Sequence, residues 1–309
     1  MRNLLLRTVP VLVFLLAPRG AFSLDVVTLP AGTGVAALAV AADGTAWFSA
    51  QFSGAVGSVS PSGRIALFEF PSRGTQPLGL ALQPDGTAWA ADLAGERFGH
   101  VGLDGTLTEI ALARPGGEPT GLAVAADGVV WFTLPAVGRV GRRALDGTIR
   151  EFGLPEGSEP TAIAVARDGV AWVVERRGNR VVRIAAEGGL SAWPIPSPNA
   201  QPDAVAFAPD GSLWIALPNV SRVARVTQDG VVKEYEVQNA PLGIAVAADG
   251  GVWFGAASAR KIGRLDPATG KVGWTSLPES PVAVATGSDG TVWVALGAGD
   301  KLARVPPGS

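Results

Sequence analysis

A seven-bladed β-propeller is the fold that this sequence predicts, on three observations. Asp-Gly-x-x-Trp occurs seven times, with its tryptophans at 47, 89, 131, 172, 214, 253 and 293, so successive spacings are 42, 42, 41, 42, 39 and 40 residues. Each interval divides into four short strands bounded by turn residues, with no helical period. The strands are apolar in consecutive positions, as in Gly121-Leu122-Ala123-Val124-Ala125, which suits a sheet covered on both faces. Around forty residues and four strands per repeat describe a propeller blade.

Within a repeat the elements follow in order. Blade 4 reads as strands over 161–166, 170–175, 180–185 and 190–195. Asp168-Gly169 joins the first two, because Gly tolerates the positive φ that a tight hairpin turn needs. A second turn of the same kind joins strands three and four, as in Asp146-Gly147 and Asp229-Gly230. Small residues fill the first strand, where blades converge on an axis. Phe68, Phe152, Trp193 and Tyr235 share one slot of the fourth strand, at the wide rim. The repeat Trp is expected to pack between blades.

The ends of the chain predict how the ring closes. After Trp293 the sequence supplies a third strand, 301–305, and no fourth. Asp25-Val-Val-Thr-Leu-Pro30 resembles Glu151-Phe-Gly-Leu-Pro155, a fourth strand, so the N-terminal strand is expected to complete blade 7 and leave no open sheet edge. Before it, Arg2 and Arg7, the apolar run 9–17 and the small-residue end at Ala21-Phe22-Ser23 describe a secretory signal peptide over 1–23. The apolar run falls short of the about twenty residues that span a membrane. The propeller is expected to occupy 24–309 as one exported domain, periplasmic or extracellular, and a monomer.

Composition narrows the partners. There are 25 basic and 27 acidic residues; removing 1–23 removes three Arg and no acid, so the net charge moves from −2 to −5. Nucleic-acid binding rests on phosphate neutralisation, so this chain has no footprint for it, nor a polybasic patch for anionic lipid. Without cysteine there is no disulfide framework and no thiol nucleophile.

The Asp-Gly turns of every blade fall on one face of the disc, and the varied loops fall on the other. That loop face, near the central channel, is where a site is expected, for a small molecule or a cell-envelope protein. Repeat alignment singles out ionisable residues at otherwise apolar positions. Three residues after the repeat Trp come Ala50, Asp92, Leu134, Glu175, Leu217, Ala256 and Leu296; one residue after the Pro that opens an inner strand, only Asp203 is charged. These carboxylates are expected to point into the channel mouth, with Arg176, Asn179, Asn199 and Asn219 on loops nearby. Asp92, Glu175, Arg176, Asp203 and Asn219 are thus the candidate ligand-binding residues. Glu175 and Asp203, on adjacent blades, could hold a hard cation such as Mg or Ca in an oxygen shell. The alternative is a solvated rim in which Glu175 pairs with Arg176 or Arg177. His100, the single histidine, occupies a third-strand slot filled by Arg142, Arg183, Arg225, Arg264 and Arg304 elsewhere, and reads as structural.

Gly128-Val-Val-Trp131-Phe132-Thr133, Arg139-Val-Gly-Arg142 and Thr148-Ile-Arg-Glu-Phe-Gly-Leu-Pro155 resemble the repeats of the streptogramin B lyase (virginiamycin B lyase) family, and the likeness covers essentially all of 24–309. The resemblance implies a seven-bladed propeller and a Mg-dependent elimination that opens the lactone ester of a cyclic depsipeptide, with a histidine base assisted by a second histidine and a glutamate. Here no histidine lies in blades 5 to 7, and the family's Trp-Phe-Thr-Glu ends in Glu once, at Trp172-Val-Val-Glu175. A positioned general base contributes roughly 10²–10⁴-fold. The expectation is therefore a ligand- or protein-binding module without lyase activity. The alternative is a metal-dependent lyase or lactonase using Glu175 or Asp203 as the catalytic base.

Overall fold

The computed structural model describes residues 24–112 and 114–306; the signal-peptide reading of 1–23 lies outside them. Seven four-stranded antiparallel sheets form a ring, each inner strand adjoining the next. Blades 1 to 6 run consecutively over 35–69, 77–111, 122–153, 160–194, 204–236 and 241–276. Blade 7 takes its three inner strands from 281–305 and its fourth from Asp25–Thr28, in register Asp25↔Arg304 to Thr28↔Lys301, so the ring closes as expected. Blade 4 shows strands Pro160–Val165, Ala171–Glu175, Arg180–Ile184 and Leu190–Pro194, each within a residue of its expected bounds. Among the described residues no helix is long and apolar enough to cross a membrane.

The repeat motif has a local cause at each position. In the first turn of blade 1, Gly44 N–H returns to Ala41 O, and Ala41 N–H donates to Thr45 O. The glycine sits at φ +84°, and the other six Asp-Gly glycines lie between +81° and +90°. Every Asp of the series accepts the backbone N–H two residues on, from Thr45 in blade 1 to Thr291 in blade 7. These bonds lock the turn and explain why Asp precedes the Gly. The Gly of Val-Gly-Arg has a different cause: Phe132 lies across Gly141, where a Cβ would come within 2.0 Å of the ring.

Burial happens between blades. Seven apolar clusters occupy the seven blade interfaces, each carrying a repeat Trp against the following blade. Six of these tryptophans are buried and Trp47 is half-buried. The rim aromatics stack on them within the same blade: Trp47 on Phe68 and Trp131 on Phe152 at 5.6 Å, Trp172 on Trp193 and Trp214 on Tyr235 at 5.3 Å. Third-strand arginines lie over three of the repeat tryptophans: Arg142 over Trp131 and Arg264 over Trp253 at 5.9 Å, and Arg304 over Trp293 at 6.0 Å. His100 takes that slot in blade 2, 4.6 Å from Trp89. Burial holds its imidazole below the usual histidine range, with the Arg143 charge acting the same way and Asp85 opposing.

The loop face is uneven. Crossings 112–121 and 195–203 are long, whereas 237–240 and 277–280 are short, so more chain lies on the blade 2–5 side than on the blade 6–7 side. Two matching clamps hold crossings to the blades they enter. Ser72 donates its N–H and Oγ–H to Glu109, which also receives Arg97 at 2.8 Å. Ser197, Glu234 and Arg222 repeat the arrangement, with Arg222 at 2.7 Å. Burial alone would raise both carboxyls, but the serine and arginine hydrogen bonds outweigh it and hold them below the usual glutamate range.

The closing strand buries Leu29 and supplies the outer edge of blade 7. A chain beginning at residue 31 is expected to melt about 5 °C lower than one beginning at 24, on the order of 3 kcal/mol for a domain of this size. Thermal unfolding followed by circular dichroism checks this; equal melting temperatures would show that closure contributes no stability.

Candidate functional site

A cavity of about 920 Å³ opens on the loop face above blades 2 to 5. Its walls come from the starts of inner strands (Leu78, Thr120, Thr161, Asp203) and from the turns between second and third strands (Leu93, 135–138, Arg176, Arg177). The 154–159 crossing supplies the rest of the wall facing blade 4, and Glu118 stands on the crossing into blade 3. A second cavity, about 290 Å³, is the central channel, lined by inner strands and sharing Thr161 and Asp203 with the first. Those two residues therefore mark the channel mouth.

The local backbone is irregular beside the cavity. In blades 2, 4, 6 and 7 the inner strand begins at its proline, whereas in blade 3 it begins at Leu122 and in blade 5 at Ala204. Glu118 and Gln201, the residues before Pro119 and Pro202, take left-handed φ of +50° and +51°. The strand start in these two blades is therefore irregular but still attached, with Thr120 N–H on Thr133 O at 3.3 Å and Asp203 N–H on Ala216 O at 3.2 Å. In blade 3, the Pro135–Val137 single turn of 3-10 helix lines the cavity beside this strand start.

The candidate residues divide sharply. Asp203 is at the mouth, and its Oδ1 accepts Arg176 Nη2 at 2.5 Å. Arg176 also faces Glu159 Oε1 at 3.8 Å, and Arg177 Nε faces Glu159 Oε2 at 3.6 Å. Asp92 and Glu175 are not at the mouth, contrary to expectation; both are wholly buried. Glu175 pairs with Arg180 Nε at 2.5 Å, not with Arg176 or Arg177, and Arg180 continues to Ser158 Oγ at 3.0 Å. Asp92 accepts Gln76 N–H at 2.6 Å and lies 3.5 Å from Arg97 Nε.

The two acids share one local pattern, acid-x-x-Gly-x-Arg, at 92–97 and 175–180. The turn folds its Arg back over the acid, and the Gly leaves room: a Cβ on Gly95 or Gly178 would lie 2.0 or 2.2 Å from the carboxylate. A position at the end of the second strand therefore directs the side chain beneath the turn rather than toward the axis. Asn219 also misses the cavity, donating to Asn199 O at 2.6 Å, and Asn179 secures the 195–200 crossing through Ile195 O, Ser197 O and Ala200 N–H.

The proposed cation shell does not fit this arrangement. Glu175 and Asp203 are each held by a guanidinium, Glu175 lines neither cavity, and among the described residues no three His, Cys, Asp or Glu side chains cluster to hold a metal. One oxygen, Glu175 Oε1, is buried without a partner, which makes a single donor and not a shell. Sequence reasoning missed Glu118, Glu156, Glu159 and the apolar residues 154–155. Most of them lie on the 154–159 crossing, which is no longer than 29–34 or 70–76, so crossing length gives no signal for them.

No protein-family model matches the sequence, and no curated protein matches it. Solved structures do. Virginiamycin B lyase from Staphylococcus aureus, in selenomethionine form, is 26% identical with a TM-score of 0.86, over 92% of this chain and 99% of that one. A streptogramin B lyase structure is 28% identical with a TM-score of 0.87, over 92% and 97%. A catalytically inactive histidine-to-alanine variant of the Staphylococcus aureus enzyme, with quinupristin, is 27% identical over 92% of this chain, with a TM-score of 0.86. Kuenenia stuttgartiensis hydrazine synthase, 14% identical with a TM-score of 0.75, shares the fold alone. The likeness that the repeats carry is thus borne out: the chain is a streptogramin B lyase-like β-propeller.

Breaking a buried ion pair by removing one partner costs about 3–5 kcal/mol, whereas exposed pairs contribute about 0–1 kcal/mol. Glu175→Ala is therefore expected to lower unfolding free energy by about 3 kcal/mol or more and Asp203→Asn by less than about 1 kcal/mol. Urea denaturation of the two variants checks this; equal losses would contradict the division between a structural and a site carboxylate.

Proposed function

We propose that this chain is a streptogramin B lyase-like propeller that binds a small molecule in its loop-face cavity, works outside the cytoplasm and has no lyase activity. The observation that carries the reading is the 920 Å³ cavity at the channel mouth, at the upper end of the roughly 300–1,000 Å³ usual for small-molecule sites. Against catalysis stand the single histidine, stacked on Trp89 toward the turn face, and the buried acids, each held by an arginine. A general base must reach the proton it removes, and neither His100 nor Glu175 lines the cavity.

Two measurements test the reading. Incubation of 24–309 with a streptogramin B lactone, with and without Mg, is expected to give no linearised product by mass spectrometry. Mg-dependent product would overturn it and make Asp203, freed from Arg176, the base to mutate. A thermal-shift screen of small molecules should give stabilising compounds whose effect disappears in Ala136→Trp, which fills the cavity. Hits that ignore this substitution would place the site elsewhere.

Export follows from the 1–23 segment. Expression with the native N-terminus in a Gram-negative host should yield periplasmic protein starting within a few residues of Leu24, by N-terminal sequencing. Full-length protein retained in the cytoplasm would sink this part of the reading.

A further inference from the structure

The cavity's two walls differ in chemistry, and the difference names a ligand class. Toward blades 2 and 3 the wall is apolar: Leu78, Leu93, Pro135, Val137, Leu154 and Pro155. Toward blades 4 and 5 it is charged. There the guanidiniums of Arg176 and Arg177 are already matched by Asp203 and Glu159. Glu118 and Glu156, exposed residues of the cavity lining, have no ion-pair partner among the described residues. Four carboxylates thus face two guanidiniums, and the excess negative charge sits on the two unpaired glutamates. Glu118 stands between buried Gly117 and buried Pro119, so its backbone is fixed although its carboxylate is free.

Resting on the small-molecule reading above, we infer that the ligand is an amphipathic organic cation: an apolar body against the leucine and proline wall, and a protonated amine near Glu118 and Glu156. An anionic ligand would meet an excess of carboxylates, with Arg176 and Arg177 already facing Asp203 and Glu159. A neutral ligand would gain the apolar wall and nothing from the two glutamates. The volume suits a drug-sized molecule rather than a single amino acid.

Three probes with one fluorophore separate the charges: dansylcadaverine, its N-acetylated neutral form, and the matching dansyl aminocarboxylate, each titrated by dansyl emission. The amine is expected to bind on the order of 10-fold tighter than the neutral probe, with the carboxylate weakest. That advantage should fall to about twofold or less in the Glu118→Gln, Glu156→Gln double variant and shrink with added salt. Both glutamates are exposed, so the double variant should melt with the wild type, which the same sample reports. Equal binding of amine and neutral probe, tighter binding of the carboxylate, or an amine preference that survives the double variant would each overturn the inference. If the neutral probe binds wild type and is lost in Ala136→Trp, the cavity reading stands while the charge assignment falls. Binding by none of the three overturns the assignment, and the thermal-shift screen then judges the cavity on its own.

Discussion

Everything in this molecule depends on the packing of one tryptophan per repeat against the next blade. A four-stranded sheet with apolar residues on both faces cannot bury itself, and seven such sheets can do so only as a ring. The seven apolar clusters lie at the seven interfaces, so no blade owns a core. A buried Trp removes about 150–250 Å² from water, worth about 4–6 kcal/mol before the entropy of ordering is counted. The surrounding motif serves that contact. Asp and Gly fix the turn before the Trp, a third-strand Arg or His lies against its ring in blades 2, 3, 6 and 7, and an aromatic on the outer strand stacks beside it in blades 1, 3, 4 and 5.

A rim held this tightly leaves the loop face free to vary, and the loops are themselves fastened. The Ser72–Glu109–Arg97 and Ser197–Glu234–Arg222 clamps tie crossings to outer strands, and the acid-x-x-Gly-x-Arg turns plug blades 2 and 4. Buried carboxylates carry a desolvation penalty that a guanidinium partner offsets, which is why each such acid has its arginine. These devices cluster on the side of the disc where the crossings are long. The cavity is the space left between them, beside the left-handed residues Glu118 and Gln201 that precede the inner strands of blades 3 and 5.

The likeness to streptogramin B lyases extends over nearly the whole chain and describes the scaffold well. Chemistry does not travel with a scaffold: it depends on which side chains stand at the mouth. Here the mouth carries Thr161, Asp203, Arg176 and Glu159, a set suited to holding charge in balance, with unpaired acids at its edge.

The sequence by itself determined the blade number, the strand order, the turn chemistry and the closure by Asp25–Thr28, because each is written in local pattern repeated seven times. It also placed Asp203 and Arg176 beside the channel mouth, where they lie. It failed with Asp92, Glu175 and Asn219 for one reason. An alignment of repeats shows that a residue is unusual at its position, but not where its side chain turns. That depends on Arg97 and Arg180 folding back over the acids, and on the Asn199 carbonyl passing Asn219. Glu118, Glu156 and Glu159 stayed invisible because crossings have no repeat register against which to stand out. Only the tertiary structure brings four blades' loops around one space, and so only it could decide which charges meet there and which remain unmatched.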